Sequence, residues 1–285
     1  MRTIHIFLII ISCCAMLTYT GCSPSNLQNE GLSAMEEREQ FKWPEDKHGA
    51  ISVTFDDARL SQIDTGIPIL DEYNAKATFY VLIAPMKKRL DGWKKAVANG
   101  HEIGNHSLNH PCSGNFTFSR EKALENYTLN KMHYELVEAN NIIEQLLDVK
   151  PVSFAYPCGQ KYVGRGINTR SYIPVVAENF LTGRGWMDEW SNDPAFCDMA
   201  QLMGVELDGK NFEQAKQWID KTTSNGGWLI FCGHEIGEGG RQTTLSSTLK
   251  ALCEYAQDPA NGLWLDNVET IANYIVKQRA VKTTK

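Results

Sequence analysis

Two adjacent carboxylates, Asp56 and Asp57, close the run Thr54-Phe55-Asp56-Asp57. Two imidazoles four residues apart stand in His106-Ser107-Leu108-Asn109-His110, and His234 follows Trp228-Leu229-Ile230-Phe231 after a Cys-Gly step. Side chains at i and i+4, on a helix or in a tight loop, point the same way, so His106 and His110 can share one ion. Two neutral imidazoles with one carboxylate make the ligand set of a catalytic zinc, which keeps a fourth position for water. Such a metal polarises a carbonyl and brings the pKa of its water toward about 7. A second carboxylate can then take the proton of that water, and a histidine from elsewhere can protonate a leaving group. Each fragment alone has a plainer reading. An Asp-Asp pair after a strand is commonly a solvated turn or helix cap. A His-x-x-x-His pair is commonly surface or packed histidine, and a lone histidine such as His234 a satisfied core residue. Their order and their places in the chain single them out together.

These residues need elements that bring them to one place. Short β-branched or aromatic runs at 51–55, 77–83, 152–155, 228–231 and 263–265 predict strands, and apolar periodicity predicts helices over 120–147, 212–222, 245–255 and 268–277. Ser119 and Asp266 are the expected caps. Strands separated by helices imply parallel βα units, hence an α/β sheet or a barrel with helices outside. In either architecture reactive residues belong at the carboxyl ends of strands, where Asp56, Asp57 and His234 fall. Adjacent residues on a regular strand point to opposite faces, so Asp56 and Asp57 can serve one site only if the strand ends or bends there.

Taken in order, Thr54-Phe55-Asp56-Asp57, His106-Ser107-Leu108-Asn109-His110, Phe154-Ala155-Tyr156-Pro157-Cys158-Gly159 and Leu229-Ile230-Phe231-Cys232-Gly233-His234 resemble successive motifs of the polysaccharide deacetylases, the NodB-type carbohydrate esterases of family four. The resemblance implies a single α/β domain, a distorted (β/α) barrel of about seven strands. It also implies hydrolysis of N- or O-acetyl groups on sugars with a divalent metal, most often zinc, with cobalt or nickel as alternatives. Carried over residue by residue, Asp57, His106 and His110 hold the metal, Asp56 is the general base, and His234 the general acid. A backbone N–H near Cys158 faces the oxyanion.

The third motif departs from the family. Ala155 stands where members carry an arginine that orients the base, and Cys158 where they carry a tyrosine. Arg184, in Leu181-Thr182-Gly183-Arg184-Gly185-Trp186, is expected to arrive from the next strand end and replace that arginine. A solvated turn arginine is the alternative. Trp186, Asp188 and Trp190 loosely resemble the family's remaining motif; a tryptophan stacked on a sugar or simple core packing would both fit. The altered motif keeps open a catalytically impaired, glycan-binding pseudoenzyme. A metal-independent amide hydrolase of the same superfamily is a third reading, against which Asp57, His106 and His110 stand.

Composition bounds the rest. The chain has 285 residues, 42% of them hydrophobic, enough for one large core. Its formal charge is -6 with no long Lys/Arg run, which argues against nucleic-acid binding. Eight cysteines are too few for a disulfide scaffold. Cys112, Cys158 and Cys232 lie in or beside the motifs, where two could pair in an oxidising compartment or all could be small buried residues. The polar loop 233–244, with Gly237, Gly239 and Gly240, is a candidate rim of the cleft.

At the N-terminus, Arg2 and an apolar stretch over 6–17 read as an export signal. Tyr19-Thr20-Gly21-Cys22 resembles a bacterial lipobox, which implies a signal over 1–21 and a lipid on Cys22; an ordinary secretion signal or an uncleaved anchor fits the same residues. Residues 22–48 read as a polar tether and 49–280 as the deacetylase domain. The expected place is the cell envelope, with the outer membrane favoured by Ser23. The expected partners are an acetylated polysaccharide or oligosaccharide and a membrane met only through the lipid.

Overall fold

A computed structural model describes residues 41–283. The expected export signal, the expected lipid attachment at Cys22 and the expected tether up to residue 40 lie outside the described residues. The strands, in chain order, are β1 (Gly49–Asp56), β2 (Thr78–Val81), β3 (Glu102–Asn105), β4 (Ser153–Ala155), β5 (Tyr162–Val163), β6 (Arg170–Ser171), β7 (Thr182–Arg184), β8 (Val205–Glu206), β9 (Trp228–Gly233), β10 (Glu235–Gly237), β11 (Thr243–Leu245) and β12 (Leu263–Leu265). The helices are α1 (Ile67–Glu72), α2 (Ile83–Lys87), α3 (Leu90–Ala98), α4 (Leu129–Leu147), α5 (Ile173–Asn179), α6 (Phe212–Asn225), α7 (Ser246–Gln257) and α8 (Val268–Thr283).

Seven strands follow the order β7-β4-β3-β2-β1-β9-β8, every pairing parallel, and β12 adds to the start of β1. One edge of β1 meets β9 along Ala50–Phe55, while the other is shared by β12 near Gly49–Ile51 and β2 near Thr54–Asp56. The outer strands approach each other through irregular chain. Gly185 N–H donates to Leu202 O at 2.7 Å and Leu202 N–H to Gly183 O at 2.8 Å, so the sheet curls into a distorted (β/α) barrel. The described residues form one domain.

The burial of β1 on both faces explains its apolar run. Ile51, Val53 and Phe55 pack with Phe79, Leu229, Phe231, Trp93 and Leu249 under the outer helices. The alternate residues carry smaller and polar groups. Ser52 Oγ accepts from Trp228 Nε1 at 3.1 Å, Thr54 Oγ1 donates to Phe231 O at 2.8 Å, and Asp56 ends this face.

Several expectations need correction. The helix expected from residue 120 starts at Leu129, because Thr128 Oγ1 accepts from Lys131 N–H at 3.2 Å; two short 3-10 turns, Thr117–Lys122 and Leu124–Asn126, precede it. Ser119 is no cap, its hydroxyl exchanging hydrogen bonds with the Cys112 backbone. At α8 the cap is Asn267, whose Oδ1 accepts from Thr270 N–H at 2.8 Å, and Asp266 instead bonds Asn267 N–H. Phe41–His48 was expected in the tether, but Phe41 and Trp43 are buried against Tyr274 and Trp264, and Trp43 Nε1 donates to Gly226 O at 2.9 Å. β3 was not expected as a strand, since its residues lack β-branched or aromatic runs.

Candidate active site

Asp56 is the last residue of β1, and the chain leaves the strand at once: Asp57 has φ +73° and Ala58 φ +53°. These left-handed residues break the pleat, so both carboxylates enter one cleft. The buried Gln62 amide fixes the turn by donating to Asp56 O at 2.6 Å and His234 O at 2.8 Å, which ties the two strand ends together.

His106 and His110 follow β3 in a tight loop, with Ser107 at φ +66° and His110 at φ +52°. Asn105 Oδ1 accepts from Ser107 N–H at 2.6 Å, and Ser107 Oγ from His110 N–H at 2.9 Å. Glu135 of α4 steadies the loop from outside, accepting from Asn109 N–H at 2.9 Å, Asn109 Nδ2 at 2.7 Å and the Tyr127 hydroxyl at 2.8 Å. His106 Nδ1 lies 2.9 Å from Ala155 O, which can only accept, so the proton sits on Nδ1 and Nε2 presents its lone pair to the cleft.

Asp57 Oδ1 is 3.6 Å from the Nε2 atoms of both His106 and His110. That oxygen is buried and has no hydrogen-bond partner, whereas Oδ2 accepts from Arg59 at 2.9 and 3.2 Å. An orphaned carboxylate oxygen facing two imidazole lone pairs fits a divalent cation, because ligand atoms around a tetrahedral zinc with bonds of about 2.1 Å sit about 3.4 Å apart. The electrostatics agree. Burial, with His106 adding to it, brings His110 down to about 4 and so keeps it neutral. For Asp57, burial opposes the charge, but His106, His110 and Arg59 hold the carboxyl below its ordinary range. A second grouping, His110 with Cys112 and Cys158, is not a ligand set, since the two sulfurs are joined in a disulfide. That bond realises one of the pairings left open by the sequence; Cys232 stays free and buried, its thiol pushed up to about 12 by burial.

Arg184 closes β7 with its side chain fully buried. Nη2 donates to Asp56 Oδ1 and Nη1 to Gly185 O at 2.7 Å, while the guanidinium lies 4.8 Å from the Tyr80 ring centre. The structure therefore places an arginine on Asp56 from β7, across from Ala155 of β4 in the same register. Space for it comes from Gly204: a Cβ there would stand 2.7 Å from Arg184 Cδ and 2.4 Å from Cys232 Sγ.

His234 follows β9, and its Nδ1 lies 2.7 Å from Asp208 Oδ2. Asp208 Oδ1 also accepts from Thr244 Oγ1 at 2.8 Å and His234 N–H at 3.2 Å. Burial disfavours the imidazolium, yet the Asp208 hydrogen bond and the nearby Asp56 and Asp57 outweigh it and raise the pKa. Asp208 escaped the sequence reading; its signal was an aspartate just past the two-residue strand β8. Cys158, in a turn at φ +55°, also faces the cleft, which encloses about 690 Å³. Trp186 lines it with its ring 4.8 Å from that of His234. Trp190 lies under the Lys221 ammonium, and Asp188 accepts from Gly204 N–H at 2.9 Å. Gln242, in the expected rim loop, lines the cleft.

Residues 44–170 match the family model described as polysaccharide deacetylase. The chain is 28% identical over 145 residues to a gellan lyase of Bacillus, a match spanning 50% of this chain and 5% of that protein. It is 37% identical over 62 residues to a peptidoglycan-N-acetylglucosamine deacetylase of Listeria monocytogenes, 21% of this chain and 13% of the relative. These matches span well under two thirds of the relatives' own lengths. Among solved structures, a Mycobacterium smegmatis chain described as a polysaccharide deacetylase superposes with a TM-score of 0.60 at 17% identity, covering 84% of this chain and 94% of that one. The likeness is one of fold.

Proposed function

We propose that this chain is a polysaccharide deacetylase, the family whose model matches residues 44–170, and that it is a metal-dependent hydrolase that removes N- or O-acetyl groups from a polysaccharide of the cell envelope or the environment. One observation carries the reading: Arg184 holds Asp56 Oδ1, while Asp57 Oδ1 is left unbonded between two imidazole nitrogens. The two carboxylates, adjacent in sequence, have separate tasks. Asp57, His106 and His110 would hold a divalent metal, zinc by the chemistry of the set, which when bound polarises the acetyl carbonyl and acidifies a water.

The chain's own groups do the rest. With Oδ1 taken by Arg184, Asp56 Oδ2, 4.0 Å from His106 Nε2, is the oxygen turned to the site and accepts the proton of the attacking water. As the carbonyl carbon becomes tetrahedral, the backbone N–H at Cys158 supports the developing oxyanion. His234, oriented through Nδ1 by Asp208, gives the proton on Nε2 to the leaving sugar nitrogen or oxygen as its bond to the acetyl carbon breaks. Acetate and the free amine or hydroxyl result. Trp186, beside His234, is placed to pack on a sugar face. The ground for an inactive glycan binder, the arginine absent at Ala155, is offset by Arg184. We also read residues 1–21 as a lipoprotein signal and Cys22 as its lipid attachment, which would hold the domain at the envelope. No helix among the described residues is long and apolar enough to cross a membrane.

The test is acetate release from a panel of acetylated oligosaccharides, with and without chelator, with zinc or cobalt restored, and with Asp56→Asn alongside. Chelator-sensitive release lost in the variant is the expected outcome. No release from any glycan with metal bound at stoichiometry would overturn the reading.

A further inference from the structure

Both carboxylates that line the cleft belong to the reacting centre; the walls above them are charged in one sense only. Arg59, Lys122 and Arg241 line those walls, and among the described residues no further carboxylate does, in a chain whose net charge is -6. Arg59 is committed to Asp57 and stands 3.8 Å from Glu235. The other two cations form no ion pair among the described residues. Lys122 Nζ donates to the carbonyl of Asn109, a neutral group. Arg241, exposed on the loop between β10 and β11, has neither an ion pair nor a side-chain hydrogen bond among the described residues. An apolar strip of Phe116, Phe118, Trp186 and Met187 shares the same cleft, with the rings of Phe116 and Phe118 5.5 Å apart.

Aromatic faces suit sugar rings, but a neutral glycan would leave both cations without a counter-charge. An anionic polymer approaching this acidic protein is repelled everywhere except where the local field reverses, and the mouth is such a place. Resting on the deacetylase reading, we propose that the substrate is an acidic acetylated polysaccharide, one whose sugars beside the acetylated unit carry an anionic group, and that Lys122 and Arg241 select it. Exposed charge pairs contribute little singly, so together the two should favour the acidic glycan by about 3- to 10-fold. Because these contacts exist equally in ground and transition states, the preference belongs in KM and leaves kcat nearly level.

The experiment compares acetylated oligosaccharides of equal length that are neutral, uronate-bearing or phosphate-bearing. Acetate release and equilibrium binding are both followed as salt rises from about 10 to about 300 mM, a range over which the screening length falls from about 30 Å to below 8 Å. A lower KM and tighter binding for the anionic glycans, fading with salt, is expected. Arg241→Ala and Lys122→Ala should each shrink the acidic-to-neutral ratio, with Lys122→Arg restoring it; the uronate and phosphate arms show which anion fits. Equal KM and equal binding for neutral and anionic glycans at low salt would overturn the proposal. Anion-selective binding with no acetate released from any glycan would instead overturn the deacetylase reading and leave the selectivity standing.

Discussion

The pairing of Arg184 with Asp56 joins two residues 128 positions apart, both buried. Removing one partner of such a pair strands the other charge in low dielectric, which typically costs about 3–5 kcal/mol. Arg184→Ala is therefore expected to lower the unfolding free energy by about that amount, read by denaturant titration. It should also cut kcat by about 100-fold or more, because Asp56, the proposed base, loses the donor that orients its carboxylate. Unchanged turnover with unchanged metal content would show that Arg184 does not position Asp56. Gly204→Ala probes the same contact from the opposite side. Its new methyl group would meet Arg184 Cδ and Cys232 Sγ, so it should impair kcat while leaving every charged group in place. At this scale much of the candidate site was legible: three of the four motifs hold Asp56, Asp57, His106, His110 and His234, residue types that the proposed metal and proton chemistry would restrict. Asp208 was hidden, since a buried acid two residues beyond a two-residue strand leaves no periodic trace.

Among elements, the loops after β3 and β4 are joined by the Cys112–Cys158 disulfide. One loop carries His106 and His110, and the other carries the backbone proposed for the oxyanion. A cross-link spanning 46 residues restricts the unfolded chain by about 4 kcal/mol on the loop-entropy model. The double variant Cys112→Ser, Cys158→Ser should lose about 2–4 kcal/mol of stability and a larger share of kcat than of KM, measured on the same acetylated oligosaccharide. A loss of stability with no change in kcat would confine the bridge to a structural role. β3 illustrates a second kind of hidden determinant. Glu102, at its start, is buried and accepts hydrogen bonds from Thr78 Oγ1, Ser153 Oγ and Glu269 N–H, tying β2, β4 and the first turn of α8. Burial lifts it from 4.5 to about 7 despite those donors. A carboxyl with a raised folded-state pKa favours folding while it is protonated. Its contribution is complete below about 4.5 and is lost as pH rises through about 7, on the order of 3 kcal/mol. Glu102→Gln should flatten that dependence, so the Tm difference between about pH 5 and about pH 8 should shrink; an unchanged difference would move the titration elsewhere.

Over the whole molecule, the alternation of strand and helix patterns was enough to read parallel βα units in an α/β sheet or barrel, because parallel strands buried on both faces are continuous apolar runs, and it was the motif resemblance that pointed to the barrel. What the pattern could not show was how the barrel ends are covered. The closure between β7 and β8 runs through Leu202 and Gly204 in irregular chain, which has no period. The first described residues are polar on average, which hid two aromatic anchors: Phe41 and Trp43 are buried with Val268, Ile271 and Ile275 of α8, and Trp43 stacks on Tyr274 with ring centres 6.2 Å apart. The folded domain thus includes Phe41 and Trp43, which join its core ahead of β1. Burying a large aromatic side chain contributes about 1.5–3 kcal/mol, so a chain beginning at Gly49 forfeits about 3–6 kcal/mol from these two residues. It also exposes the α8 surface they cover. Against a chain beginning before Phe41, the shortened one should unfold at markedly lower denaturant while taking up added divalent metal at the same stoichiometry, because the loops proposed to hold it lie beyond the opposite ends of the strands. Equal midpoints would show that α8 holds its place without the leading segment.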